Sequence, residues 1–185
     1  MIMPMKRTMK LWVLVFVLAI VIPQTGEAYT ATKQTSVRLS DNVLMFLLTY
    51  EFGHDSFSYK MPVVAKRNTS SPDVMSYDIL KDGKLRTDIG QSVGLVLSNA
   101  KIEGGKYVVP QGEAKEFTLV TFLTLPADRS ASSTDYALAV SNLPFELGKN
   151  GTYTKNHLNE SELTNYRTPV IGTDQKVGIT LRPKN

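Results

Sequence analysis

Gly90-Gln91-Ser92-Val93-Gly94 has the spacing G-x-S-x-G. That is the pattern of a nucleophile elbow, a strained turn between a strand and a helix that exposes a serine. Its chemistry is acyl transfer, with the serine attacking and a histidine taking its proton. Ser92 would be the nucleophile, and His157 falls late enough in the chain to be the base. The context points elsewhere. Residues 93–98, VGLVLS, read as a strand and not as a helix, and no alternation of strands and helices surrounds them. The expected reading is a turn leading into a strand, with no catalytic residue. A small secreted hydrolase using Ser92 is the alternative.

Metal chemistry finds little to work with. The chain has no cysteine and only two histidines, His54 and His157. This excludes thiol nucleophiles, thiolate metal sites and iron–sulfur clusters. His54-Asp55, with Glu51 nearby, offers two ligand types, but a zinc site needs three or four ligands. Gly53 to Ser56 reads better as a polar turn. Asp78, Asp82 and Glu103 do not form the clustered oxygen run that calcium requires. No metal and no cofactor is expected.

Two tyrosines are the candidate binding residues. Tyr153 and Tyr166 fall in the longest polar segment, 148–169. Tyrosines on loops over a rigid scaffold are common anchors. The competing expectation is that each packs its loop onto the domain with only the hydroxyl wet. Asn68-Thr69-Ser70, Asn150-Gly151-Thr152 and Asn159-Glu160-Ser161 match the N-glycosylation pattern, which matters only in a host that uses it.

The elements that would position these residues follow an export signal. Lys6, Arg7 and Lys10 precede an apolar run, 11–22, ended by Pro23. Small residues at Gly26 and Ala28 then mark a cut between Ala28 and Tyr29. A basic start, a short apolar stretch and a small-x-small site are the parts of a secretory signal peptide. As a helix the twelve apolar residues reach roughly 18 Å, against a bilayer core of about 30 Å. The expectation is a cleaved hydrophobic signal helix over 1–28, no stable membrane span afterwards, and a secreted or extracytoplasmic protein at the cell surface or in the periplasm.

Without 1–28 the chain keeps 157 residues, the size of one domain. Losing Lys6, Arg7, Lys10 and Glu27 leaves 18 basic and 16 acidic residues, a formal +2. The charges are interspersed, so nucleic acid is not an expected partner. The only tryptophan, Trp12, lies in the leader.

Residues 29–36 are polar and read as a flexible arm before a domain over 37–185. Residues 43–52 (VLMFLLTYEF) are apolar on both faces and read as a central, doubly covered strand, with 57–65 returning as its partner. Asp82-Gly83, Gly104-Gly105 and Asn150-Gly151 read as turns between short strands. Val93, Leu95 and Leu97 alternate with Gly94, Val96 and Ser98. Phe117, Leu119, Leu123 and Leu125 share one strand face, and Val177, Ile179 and Leu181 lie in a closing strand. The one helical signal is Asn159 as a cap before Glu160-Ser161-Glu162-Leu163. Such a succession of strands predicts an all-β domain, a single antiparallel β-sandwich.

Residues 108–119 (VVPQGEAKEFTL) resemble the P-x-G, polar stretch and aromatic-x-aliphatic approach to a strand in bacterial extracellular immunoglobulin-like and fibronectin-III-like domains. Tyr136 resembles their tyrosine corner. The resemblance covers about residues 108–140 and implies an immunoglobulin-like sandwich. The paired cysteines and core tryptophan of antibody-type domains have no counterpart in the mature chain. Taken together, the sequence predicts a non-catalytic exported module of structural, adhesion or envelope-associated binding type. Its expected partner is a protein or glycan at the cell envelope or outside the cell.

Overall fold

The computed structural model describes residues 29–86, 89–126, 134–173 and, as backbone, 178–181. The expected leader, 1–28, and Val177 lie outside them. The described chain is all-β, with two sheets and one four-residue helix, α1 (Glu160–Leu163).

The centre is the pairing of β2 (Val43–Gly53) with β10 (Ala114–Thr124), in unbroken register from Ala114 opposite Gly53 to Thr124 opposite Val43. Alternation along both strands sends Leu44, Phe46, Leu48, Tyr50 and Phe52, with Phe117, Leu119 and Leu123, to one buried face. Period-2 placement of large apolar side chains is what commits these strands to one core. β2 is central as expected, but Met45 and Leu47 on its other face are only partly covered.

Around this pair the large sheet also contains β1 (Tyr29–Arg38), β4 (Val64–Arg67), β5 (Met75–Lys81), β6 (Lys84–Leu85), β7 (Gln91–Ser98), β11 (Asp135–Asn142), β14 (Ile171–Gly172) and β15 (Gly178–Leu181). Its order is β14-β11-β5-β4-β7-β10-β2-β1-β15, with β6 paired to β5. The sheet curls until its ends meet. Ser36 donates from Oγ to Pro169 O at 2.6 Å, and Arg38 Nη1 to Thr173 O at 2.5 Å. Two departures from the expected single antiparallel sandwich follow. The large sheet is nearly closed and barrel-like, and it is mixed, because β4 and β5 run parallel from Ala65 opposite Met75 to Arg67 opposite Tyr77.

The small sheet has the order β13-β12-β3-β9-β8. Its strands are β13 (Thr152–His157), β12 (Pro144–Lys149), β3 (Ser58–Pro62), β9 (Lys106–Val109) and β8 (Lys101–Glu103). The expected return of 57–65 beside β2 is therefore corrected: 58–62 joins β9 and β12 instead. The cause is the crossing at Gly53–Asp55. Gly53 sits at φ 123, and a β-carbon there would meet Glu113 O at 1.9 Å. His54 N donates to Glu113 O, and Gly112 N to Asp55 O. Asp55 Oδ1 then takes Phe57 N, and its other oxygen takes the Tyr59 hydroxyl. Both chain segments are held together as they pass from one sheet to the other. Phe52 packs edge to face on both Tyr59 and Phe145, which are tilted against each other, with ring centroids 5.4–5.9 Å apart at this junction.

The flexible arm proposed for 29–36 is also corrected. It is most of β1, paired along its length with β2 and at Thr35–Arg38 with β15. Its threonines suit extended backbone, and its peptide groups find partners on β2. Polarity of side chains says little about a strand whose backbone is satisfied by a neighbour.

Candidate interaction face

β7 is built the reverse of an ordinary sheet strand. Its outward set is Val93, Leu95 and Leu97, which are 63%, 51% and 54% exposed. Its inward set is Ser92, Gly94, Val96 and Ser98. The inward residues are small because two tyrosines lie across them. A β-carbon on Gly94 would come 2.5 Å from Tyr77 Cε1. The Tyr77 hydroxyl donates to Ser92 Oγ at 3.3 Å, and the Tyr107 hydroxyl to Val96 O at 3.0 Å. Burial raises the Tyr77 phenol above its ordinary pKa, and the Ser92 hydrogen bond and the Arg67 charge draw it part of the way back.

Slipping β7 by one residue would bury the three apolar side chains but drive them into Tyr77 and Tyr107. The register is instead held by β10, with Val93 opposite Phe122, Leu95 opposite Val120 and Leu97 opposite Thr118. Beyond β10, Phe122 faces Met45 and Val120 faces Leu47 on β2. On the other flank Val64 of β4 faces Leu95. The outer face of four adjacent strands thus carries a continuous apolar surface, and Phe122 and Val64 are themselves 37% and 45% exposed. Scattered exposed apolar residues need no explanation, whereas this patch is contiguous across four strands.

Ser92 sits within β7, on its inward side, and not at a strand-to-helix turn. Both glycines of its motif have packing reasons. Gly94 makes room for Tyr77, and a β-carbon on Gly90 would meet Thr124 O at 2.2 Å. The preceding loop is tied down by Arg67, which donates to Gly90 O and Arg86 O at 2.9 Å each. Neither histidine is brought to Ser92. Ser92 is in register with Leu123 and through it with Leu44, while His54 follows the far end of β2, roughly 30 Å along the strand. His157 is exposed on β13, opposite Pro144 in the small sheet.

His54 Nε2 lies 3.4 Å from Glu51 Oε1, and both are open to solvent. Asp55 is occupied by Phe57 and Tyr59. Asp82 occupies a left-handed turn at φ 50 and takes Asp135 N on Oδ1, and Glu103 pairs with Lys101 at 2.9 Å. Among the described residues no group of three or more His, Asp or Glu could hold a metal ion. None of the described helices is long and apolar enough to cross a membrane.

The two candidate tyrosines separate. Tyr166 is buried against Tyr50 at 5.7 Å and belongs to the core. Tyr153 is half-exposed on the small sheet. It covers Gly148, takes a hydrogen bond from Ser58 Oγ, and has Lys60 Nζ 3.9 Å from its ring centroid. Asn68 and Asn150 are exposed at positive φ, whereas Asn159 Oδ1 is engaged as the helix cap.

A cleft that the sequence did not signal lies beside α1. It encloses about 660 Å³ over the outer side of β5 and β11, between Asp78, Leu80, Leu85, Ala139, Glu160 and Arg167. The small Ala139 forms the hollow, flanked on one side by Asp78 and on the other by Arg167.

The chain matches no protein-family model and no curated protein sequence.

Proposed function

We propose that this chain is an exported, non-catalytic binding module that acts by surface contact through the outer face of β4, β7, β10 and β2. The observation that carries the reading is the inverted β7, which leaves Val93, Leu95 and Leu97 in water beside Val64 and Phe122. Burying that surface on a partner is favourable by the same hydrophobic term that builds a core. A protein partner suits the face better than a glycan, because its one aromatic ring, Phe122, offers no stacking platform. The basic-apolar-small order of residues 1–28 supports placing this contact at the cell surface or outside the cell. An immunoglobulin-like kinship is supported by the 108–119 pattern leading into β10 and by Tyr136, buried at the start of β11.

Retention of the exported chain on envelope fractions tests the reading. Leu95→Lys combined with Val93→Thr is expected to abolish retention while far-UV circular dichroism and Tm stay unchanged. Unchanged retention in that variant would remove the outer face from the function.

A further inference from the structure

We propose that the partner seated on this outer face is a second copy of the same chain, packed sheet to sheet about a two-fold axis. The inference rests on the reading of the face given above. β7 has β10 along one side and β4 at Gly94 and Leu95 on the other, so it is an interior strand and not a free sheet edge. Contact must come from the side chains. Two sheets meeting this way pack about 10 Å apart with their apolar faces interleaved.

The size of the face suits reversible self-association. From their exposures, Val64, Val93, Leu95, Leu97 and Phe122 together present on the order of 400 Å² of apolar surface, a patch of the size that marks an interaction site. Doubled across a two-fold, and with the partly covered Met45, Leu47, Thr118 and Val120 as rim, the total buried area reaches about 1,000 Å², where specific association begins. That predicts a reversible dimer and not a permanent one.

The charges make the face complementary to itself. The outward positions Met45, Leu47, Val93, Leu95, Leu97, Thr118, Val120 and Phe122 carry no ionisable group. Lys66 follows Val64 outward on β4 and marks one corner. Glu51 and Glu116, opposite each other on β2 and β10, mark the diagonally opposite corner, with Lys33 of β1 and His54 beside Glu51. A two-fold rotation can bring Lys66 of one copy toward the carboxylates of the other, twice per dimer. An isologous contact needs such self-complementarity, and a face rimmed by one sign of charge would repel its own copy. The near-neutral mature chain adds no long-range repulsion.

The test is sedimentation velocity on the chain recovered after export, across three decades of concentration. Wild type should pass from monomer to dimer. Leu95→Lys should weaken the dimer by roughly tenfold or more, as expected for a central contact residue, with unchanged circular dichroism. Because the chain has no cysteine, Leu95→Cys supplies a second readout that does not depend on affinity. Under mild oxidation it should form a disulfide-linked dimer, whereas Lys149→Cys on the small sheet should not. Lys66→Glu should weaken the dimer, and adding Glu51→Lys and Glu116→Lys should restore it. A monomer at every concentration overturns the proposal, as does a dimer indifferent to Leu95→Lys. If that monomer is still held by envelope fractions through the same face, the surface-contact reading stands and only self-association fails. If it is not held, both fail.

Discussion

The ring of Tyr77 lies over Gly94, so closely that a single added carbon on Gly94 would meet it at 2.5 Å. This contact decides which way β7 faces. With Tyr77 on β5 and Gly94 on β7 separated by β4, the phenol reaches across the inner side of the sheet and claims the space a side chain would fill. Its hydroxyl ends on Ser92, two residues along the same strand face. Val93, Leu95 and Leu97 are left with the outer side. The exposed apolar surface is therefore a consequence of core packing.

Gly94→Ala should destabilise the fold by about 1–3 kcal/mol, the usual cost of forcing an extra carbon into a filled site. Urea unfolding measures it. Adding Tyr77→Leu should recover part of the loss, because the clash and its source then disappear together. If Gly94→Ala unfolds like wild type, Tyr77 does not set the orientation of β7.

Ser92→Ala should cost about 1 kcal/mol, since the hydroxyl of the buried Tyr77 loses its acceptor. The same residue should resist a fluorophosphonate probe. No histidine reaches it, and an unactivated serine hydroxyl is a poor nucleophile. Labelling at Ser92, seen by mass spectrometry of the probe-treated chain, would revive the acyl-transfer chemistry.

Alkaline pH should report on the buried tyrosines. Burial, reinforced by neighbouring Tyr166 and Tyr107, raises the Tyr50 phenol far above its ordinary 10.0. Burial and the hydrogen bond to Asp55 do the same for Tyr59, and burial raises Tyr77 more modestly. A phenol raised in the folded state but ordinary in the unfolded one stabilises the fold fully below pH 10. That contribution falls as pH climbs from there toward the folded value. Absorbance of the tyrosinate band should therefore show Tyr50 and Tyr59 ionising only as the chain unfolds. Ionisation of Tyr50 and Tyr59 at their ordinary value of 10.0 in the folded protein would contradict the packing described.

What the sequence revealed was whatever depends on neighbours a few residues away. Asp82-Gly83, Gly104-Gly105 and Asn150-Gly151 all adopt paired positive φ, from 50° to 81°. These are the turns that such dipeptides favour and that match strand twist. Phe117, Leu119, Leu123 and Leu125 are buried together as their alternation requires, and Asn159 caps α1. What stayed hidden depends on residues distant in the chain. Nothing near β7 says that Tyr77 will occupy its inner side. Nothing within 29–36 says that β2 will satisfy its backbone. The 57–65 segment left β2 because Gly53 is pressed against Glu113, sixty residues away. The cleft beside α1 needs β5, β11 and the helix to assemble before it exists.

Tyr29, at the start of β1, is joined to the helix. Glu162 closes a capping box, its Oε2 taking Asn159 N at 2.6 Å while Asn159 Oδ1 takes Glu162 N at 3.1 Å. Its other oxygen accepts the hydroxyl of Tyr29. One carboxylate thus ties the start of β1 to α1, and through α1 to the edge of the cleft. Asn159→Ala should cost about 1 kcal/mol, the worth of a good cap. Tyr29→Phe should cost somewhat more than an ordinary hydrogen bond, about 1.5–2 kcal/mol, because the acceptor is charged and the pair is partly buried. The two losses should not add, since both act on Glu162. A cut after Ala28 would make Tyr29 the first residue of the exported chain, and N-terminal sequencing should begin there. Were the chain trimmed beyond Tyr29, its stability should match that of Tyr29→Phe or fall below it. Full stability in such a trimmed chain would show that the contact with Glu162 contributes nothing to holding β1.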